Sequence, residues 1–222
     1  MAIAEKLNEI KASLPAGVTL VAVSKTHPME AVEEAYAAGQ RIFGESRPQE
    51  LKAKAEALPR DIEWHMIGHL QTNKVRMLMP YVTLIHSVDS ERLVREIEKE
   101  AARLDREVDI LLEVHVAREE TKTGWSGEEL EAWLATGQWR ELGHVRFRGV
   151  MGIATNTDDE AVVRGDFEAL KGWFERLKPL FGEAFDTLSM GMSDDYPTAI
   201  ACGSTMVRVG SRIFGAREYQ KQ

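Results

Sequence analysis

Leu20-Val21-Ala22-Val23-Ser24-Lys25-Thr26-His27-Pro28 is the stretch on which the reading of this chain turns. Four apolar residues in a row fit a short strand buried on both faces, as in a parallel sheet, and the run stops abruptly at polar Ser24-Lys25-Thr26-His27. Pro28 suits the first turn of a following helix, where its missing N–H costs nothing, and the helical pattern runs to Gly39. Upstream, Ile3, Leu7, Ile10 and Leu14 recur at helical spacing until Pro15-Ala16-Gly17, so a helix precedes the first strand.

Downstream the alternation repeats. Strands are predicted over 41–44, 62–67, 83–86, 108–116, 146–152, 187–189 and 205–209, and helices over 48–58, 72–79, 90–104, 127–135, 158–178 and 195–201. A doubly wound open sheet shares this local rhythm. Eight strands separated by helices favour a single (β/α)8 barrel of the TIM type, with the additional helix at its N-terminus and one domain over 1–222.

Composition narrows the function. The 36 acidic residues outnumber the 28 basic ones, and the resulting charge of −8 opposes broad attraction to nucleic acid or an anionic membrane. Cys202 is the single cysteine, so no intrachain disulfide or cysteine-rich metal site is available, and a reducing, cytoplasmic setting is expected. The opening MAIAEKLNEIKASL lacks the apolar core of a signal peptide, and no apolar run approaches the roughly 20 residues of a membrane span.

Lys25 falls at the carboxyl end of the first strand, where barrel active sites form. An amine there is placed to meet an aldehyde, and burial or a neighbouring cation would make it nucleophilic. The same position also suits an ordinary solvated lysine in a turn. Two later stretches, Ser189-Met190-Gly191-Met192-Ser193-Asp194-Asp195 and Gly203-Ser204-Thr205-Met206-Val207-Arg208-Val209-Gly210-Ser211, bring small residues and hydroxyls to the seventh and eighth strands. Barrels often bind phosphate there, through close backbone N–H groups, hydroxyls and helix N-termini. Plain turn and capping chemistry explains them equally well. Arg208, inside an apolar strand, needs a carboxylate, a ligand or the barrel mouth.

His65, His69, His86 and His115 lie at strand ends. Met66 stands where the zinc-protease motif requires Glu, and hydrogen bonding or ring packing suits these histidines better than metal binding. Walker, G-x-G-x-x-G and G-x-S-x-G patterns are all missing.

Taken in order, Val23-Ser24-Lys25-Thr26, Phe43-Gly44-Glu45, Trp64-His65, the run from Ile67 to Lys74, His86-Ser87-Val88-Asp89, Met151-Gly152, the run from Leu188 to Asp195 and that from Gly203 to Arg217 resemble the pyridoxal 5′-phosphate (PLP) homeostasis protein family. Its fold is similar to the barrel domain of alanine racemase, and the resemblance spans nearly the whole chain. It implies that Lys25 holds PLP as a Schiff base. It also implies that Ser193, Ser204, Thr205, Gly210 and Ser211 contact the phosphate and that Arg208 faces the pyridine nitrogen. Met190 and Met192 are candidates to pack near the ring, although methionine in a barrel mouth is more often plain core. The function implied is that of a carrier or regulator of PLP without established turnover, with PLP-dependent apoenzymes as recipients and a monomer or weak dimer as the assembly. A PLP-dependent racemase or isomerase is the alternative, and a module for another phosphorylated metabolite is a second one. Departures occur at Ser46-Arg47-Pro48, where the family commonly has Asn and an aromatic residue, and at His27, where it often has a second lysine. Lys122 matches a lysine position of the family.

Overall fold

Alternate residues of each strand face opposite sides of a sheet, and in this chain both sides are apolar but of different kinds. Val21, Leu84, Leu111, Met151 and Met206 pack together as one small cluster. Their neighbours Ala22, Ile85, Ile110, Val150 and Val207 belong to a second, much larger core. Two separate apolar layers on the two faces of one sheet are what a closed barrel wrapped in helices requires.

The computed structural model describes residues 2–215. Met1 and residues 216–222, including the last two positions of the family-like segment ending at Arg217, lie outside them. The eight strands are β1 (Thr19–Val23), β2 (Ile42–Glu45), β3 (Glu63–Met66), β4 (Val82–Val88), β5 (Val108–Glu113), β6 (Val145–Met151), β7 (Thr187–Ser189) and β8 (Met206–Val209). They follow one another around a closed parallel barrel, and β8 pairs with β1 to complete it. The helices are α1 (Ile3–Ser13), α2 (Met29–Ala37), α3 (Pro48–Ala57), α4 (Thr72–Leu78), α5 (Glu91–Arg103), α6 (Gly127–Ala135), α7 (Glu160–Phe181), α8 (Tyr196–Ala201) and α9 (Ser211–Phe214).

The longer helices cover the sheet with an apolar stripe. In α5, Leu93, Val94, Ile97 and Ala101 are buried at helical spacing, and each large aliphatic side chain so buried contributes roughly 1.5–3 kcal/mol. Several elements differ from the sequence expectation: the strand predicted over 108–116 ends at Glu113, and the one predicted over 83–86 spans Val82–Val88. The helix predicted over 158–178 is α7, which runs on to Phe181 with Pro179 in its last turn; Gly182 N–H then closes the helix on Lys178 O at 2.8 Å. A short 310 turn at Gln138–Glu141 and the four-residue α9 carry too few apolar positions for a periodic signal.

One backbone approach constrains the β6–β7 seam. Gly149 has φ +157°, and a Cβ there would stand 1.7 Å from Thr187 O. Replacing Gly149 by Ala should therefore cost about 3 kcal/mol or more, whereas Gly165→Ala, mid-helix with open space around it, should be neutral or stabilise by up to about 1 kcal/mol. Urea unfolding of the two variants checks this, and equal effects would contradict it.

Candidate functional site at the carboxyl ends of the strands

Strand register decides which residues share an end of the barrel. Thr19 pairs with Met206 and Ala22 with Val209. Residues after Ala22 and after Val209 therefore emerge together, which places Lys25 at the same mouth as Gly210 and Ser211. Lys25 is half-buried there and follows Val21 and Val23 on the interior-facing row of β1.

Ser204 and Thr205 precede β8 and stand at the opposite, amino end, about 20 Å away along the strands at about 3.3 Å per residue. Their expected contact with a phosphate at the mouth is a correction. Thr205 Oγ1 accepts from Leu188 N at 2.8 Å and reaches Asp186 O at 3.3 Å, while buried Ser204 Oγ lies 2.7 Å from Met190 O and 3.0 Å from Met206 O. The physical reason is the weakness of the β7–β8 seam, which has one ladder pair, Ser189 with Met206. These hydroxyls supply bonds that the short ladder lacks. A hollow of about 440 Å³ opens at that end, lined by Thr205 among others; Lys25 is remote from it.

Met190 is a second correction. It is fully buried in the layer between sheet and helices, because it alternates with inward-facing Ser189. Met192 instead is 39% exposed and lines a cavity of about 710 Å³ beside the mouth, with Asp194, Asp195 and Lys122. Lys122 Nζ is held by Ala154 O at 2.6 Å and by Glu119 at 2.9 Å.

Around the mouth, Ser193 Oγ accepts from Gly210 N–H at 3.2 Å and so joins the loops after β7 and β8. A side chain at Gly210 would press on Val23 O at 3.0 Å, so glycine lets the end of β8 lie close against β1. Ser211 begins α9, whose first amides have no partner within the helix.

Arg208 points inward with 4% exposure. Its Nη1 donates to Ser189 O at 2.9 Å and Ser189 Oγ at 2.6 Å, and Nη2 to Gly152 O at 3.0 Å. Among the described residues, three of the five guanidinium hydrogens are thereby used and two are left over. Burial pulls Arg208 down to about 10, opposed by the nearby Asp195 and Glu113 charges, so it remains a cation at neutral pH. Burial pushes Glu113 and Asp195 up from the usual carboxylate range.

The arginine heads a buried chain. His86 Nδ1 lies 3.0 Å from Ser189 Oγ, and His86 Nε2 lies 3.0 Å from His65 Nδ1. Burial drives His65 down to about 3, and burial with the His65 and Arg208 charges drives His86 well below its ordinary value. Both rings are neutral, which a chain running from a cation demands. Sequence reasoning placed these histidines at strand ends but missed Ser189 as the link. The signal was available: Ser189 and Arg208 occupy inward rows of neighbouring strands.

The fold and the composition of this mouth define the class, that of the alanine racemase N-terminal domain, whose family profile matches residues 1–218. Within it, the chain belongs to the pyridoxal phosphate homeostasis protein family. It is 38% identical over 208 residues to the Pasteurella multocida member, spanning 92% of this chain and 88% of that one. Identity to the Aquifex aeolicus member is 42% over 201 residues, spanning 90% and 87%. The solved structure of PipY from Synechococcus elongatus with PLP bound is 40% identical, covers 96% of this chain and all of that one, and superposes with a TM-score of 0.87. Alanine racemase of Clostridium difficile, at 15% identity and a TM-score of 0.79 over 56% of its length, shares the fold.

The neutral histidines have a pH consequence. Their folded pKa values lie below the unfolded value near 6.5, so the unfolded chain binds more protons between those limits. Stability should be fully present above pH 6.5 and fall as pH drops toward 3. In His65→Gln, which keeps a hydrogen-bonding side chain beside His86, the fall should be shallower. Urea midpoints across this range test the point, and parallel curves for the two proteins would contradict it.

Proposed function

We propose that this protein binds PLP at the barrel mouth, with Lys25 as its covalent attachment point, and acts in the cytoplasm as a carrier or regulator of the cofactor. The observation that carries this reading is the convergence of Lys25, Arg208 and the Ser193–Gly210–Ser211 cup at one end of the barrel. Each part suits one part of the cofactor.

When bound, PLP supplies an aldehyde that condenses with a primary amine and a pyridine ring that withdraws electrons. Lys25 is the amine. The cup offers N–H and O–H donors to a dianion, and such charge-assisted bonds are roughly twice as strong as neutral ones. Arg208, a donor with two spare hydrogens, would face the ring nitrogen and keep it unprotonated. The neutral His65–His86–Ser189 chain adds no further charge beside the arginine, whose carboxylate neighbours are Asp195 and Glu113. Ser204, Thr205 and Met190 have no part in the site. PLP-dependent apoenzymes are the recipients this reading implies, and a monomer or weak dimer is the assembly it takes.

Borohydride treatment of the PLP-loaded protein should fix a pyridoxyl group on Lys25, and Lys25→Ala should abolish the adduct with the fold intact. PLP should bind far more tightly than pyridoxal, and the pair Ser193→Ala, Ser211→Ala should narrow that gap by roughly tenfold or more. A label mapped to Lys74 or Lys122, or equal affinity for the two aldehydes, would overturn the assignment.

Arg208 bears on the racemase alternative, because it weakens the bound cofactor as an electron sink. An unprotonated ring nitrogen is a poor electron sink, so the loaded protein should exchange the α-proton of alanine slowly in D₂O. Exchange should quicken in Arg208→Glu at equal PLP occupancy. Brisk racemisation by the wild type, lost in that variant, would establish the enzyme instead.

A further inference from the structure

A second cluster of charge lies on the outer side of β1 and β2, beneath α3, and the reading above leaves it unused. Lys54 of α3 is 3% exposed, although lysine is seldom buried without partners. Its ammonium has three hydrogens and three acceptors: Ser24 O at 2.8 Å, Glu45 Oε1 at 2.7 Å and Glu50 Oε1 at 2.8 Å. Ser24 Oγ donates to Glu45 Oε1 at 2.6 Å, and Thr26 N–H donates to Glu50 Oε1 at 2.7 Å.

The placement of these bonds matters more than their number. Ser24 O belongs to the peptide group before Lys25, and Thr26 N–H belongs to the peptide group after it. The relative orientation of those two planes is the φ/ψ pair of Lys25. One ammonium and one carboxylate, bonded to each other, therefore grip both planes at once.

The backbone shows why a grip is needed. Thr26 has φ +67°, a left-handed conformation that is costly for a β-branched residue and persists only where the surroundings enforce it. Left to itself, the strand-to-helix turn would relax and swing the Lys25 side chain. An ion pair supporting only the α3–sheet contact would have no reason to hold these two peptide groups.

We propose that Glu45, Lys54 and Glu50 form a positioning triad that fixes the backbone of Lys25, so that its amine is aimed into the mouth before any aldehyde arrives. The proposal rests on Lys25 being the attachment lysine. Lys54 is the keystone, Glu45 anchors it to β2 and to the Ser24 hydroxyl, and Glu50 carries the grip across to Thr26. None of the three is assigned contact with the cofactor.

Glu50 is the position to test, since its side chain is partly exposed and its loss leaves Lys54 paired with Glu45. Glu50→Ala, Glu50→Gln and the same-helix control Lys52→Ala, whose ion pair with Glu56 is exposed, would be compared by two measurements. The first is amide hydrogen exchange of Thr26 in the protein without PLP; the second is the fraction of Lys25 captured by PLP after borohydride. Glu50→Ala should speed exchange at Thr26 at least tenfold and weaken capture by a similar factor. Glu50→Gln, which retains an acceptor, should recover much of both, and Lys52→Ala should change neither. Faster exchange with undiminished capture would overturn the proposal, leaving the triad as a brace for the turn. So would unchanged exchange. If Glu50→Ala fails to fold, Glu50→Gln against wild type decides on the same two readouts. A wild-type adduct on a lysine other than Lys25 would refute the attachment assignment, and the exchange measurement separates that failure from one of the triad.

Discussion

Pairing between the first and last strands is the constraint on which the rest of this structure depends. Without the β8–β1 ladder the eight strands would form an open sheet, and Arg208 would lie far from Lys25. With it, Val21 and Arg208 are register partners, and the chain's two chemically distinctive ends meet at one mouth. Gly210 serves that closure, since a side chain there would press on Val23. The hydroxyls of Ser204 and Thr205 serve it as well, by reinforcing the thin β7–β8 seam one strand away.

Polar groups inside the barrel follow from the same geometry. A guanidinium brought inward must be satisfied without a carboxylate in direct contact, and Ser189 and Gly152 provide the acceptors. Two neutral imidazoles then continue the hydrogen-bond chain away from the cation at little electrostatic cost. On the outer face, Lys54 solves the opposite problem. Its charge is divided between two carboxylates, one of which, Glu45, is lifted by burial to about 7 despite the lysine beside it. Burial wins there because Glu45 is wholly enclosed and one of its oxygens, Oε2, has no hydrogen-bond partner among the described residues.

Much of the fold was legible in the sequence, because barrel strands buried on both faces read as short apolar runs ended by polar residues. The run 20–23 lies within β1, and the 187–189 and 127–135 assignments coincide with β7 and α6. Positions at the carboxyl-end mouth were legible where residues follow a strand, as Lys25, Ser193, Gly210 and Ser211 do. Ser204 and Thr205 were misplaced because glycine and hydroxyls cluster at both ends of a strand, although the predicted strand over 205–209 already put these two at its amino end, away from the mouth. Met190 was misplaced by one step of the period-two alternation. The Lys54 triad was not legible at all, since it joins residues up to 30 positions apart that look like ordinary surface charges in a helix and a turn.

The central claim, that the carboxyl-end mouth between Lys25 and Arg208 is where PLP sits, is tested most directly by a crystal structure of the protein grown with PLP. The account predicts electron density continuous with Lys25 Nζ, the phosphate against Ser193, Gly210 and Ser211, and the ring nitrogen facing Arg208. Density for the phosphate at the Ser204–Thr205 end, or a cofactor seated away from Lys25, would contradict it.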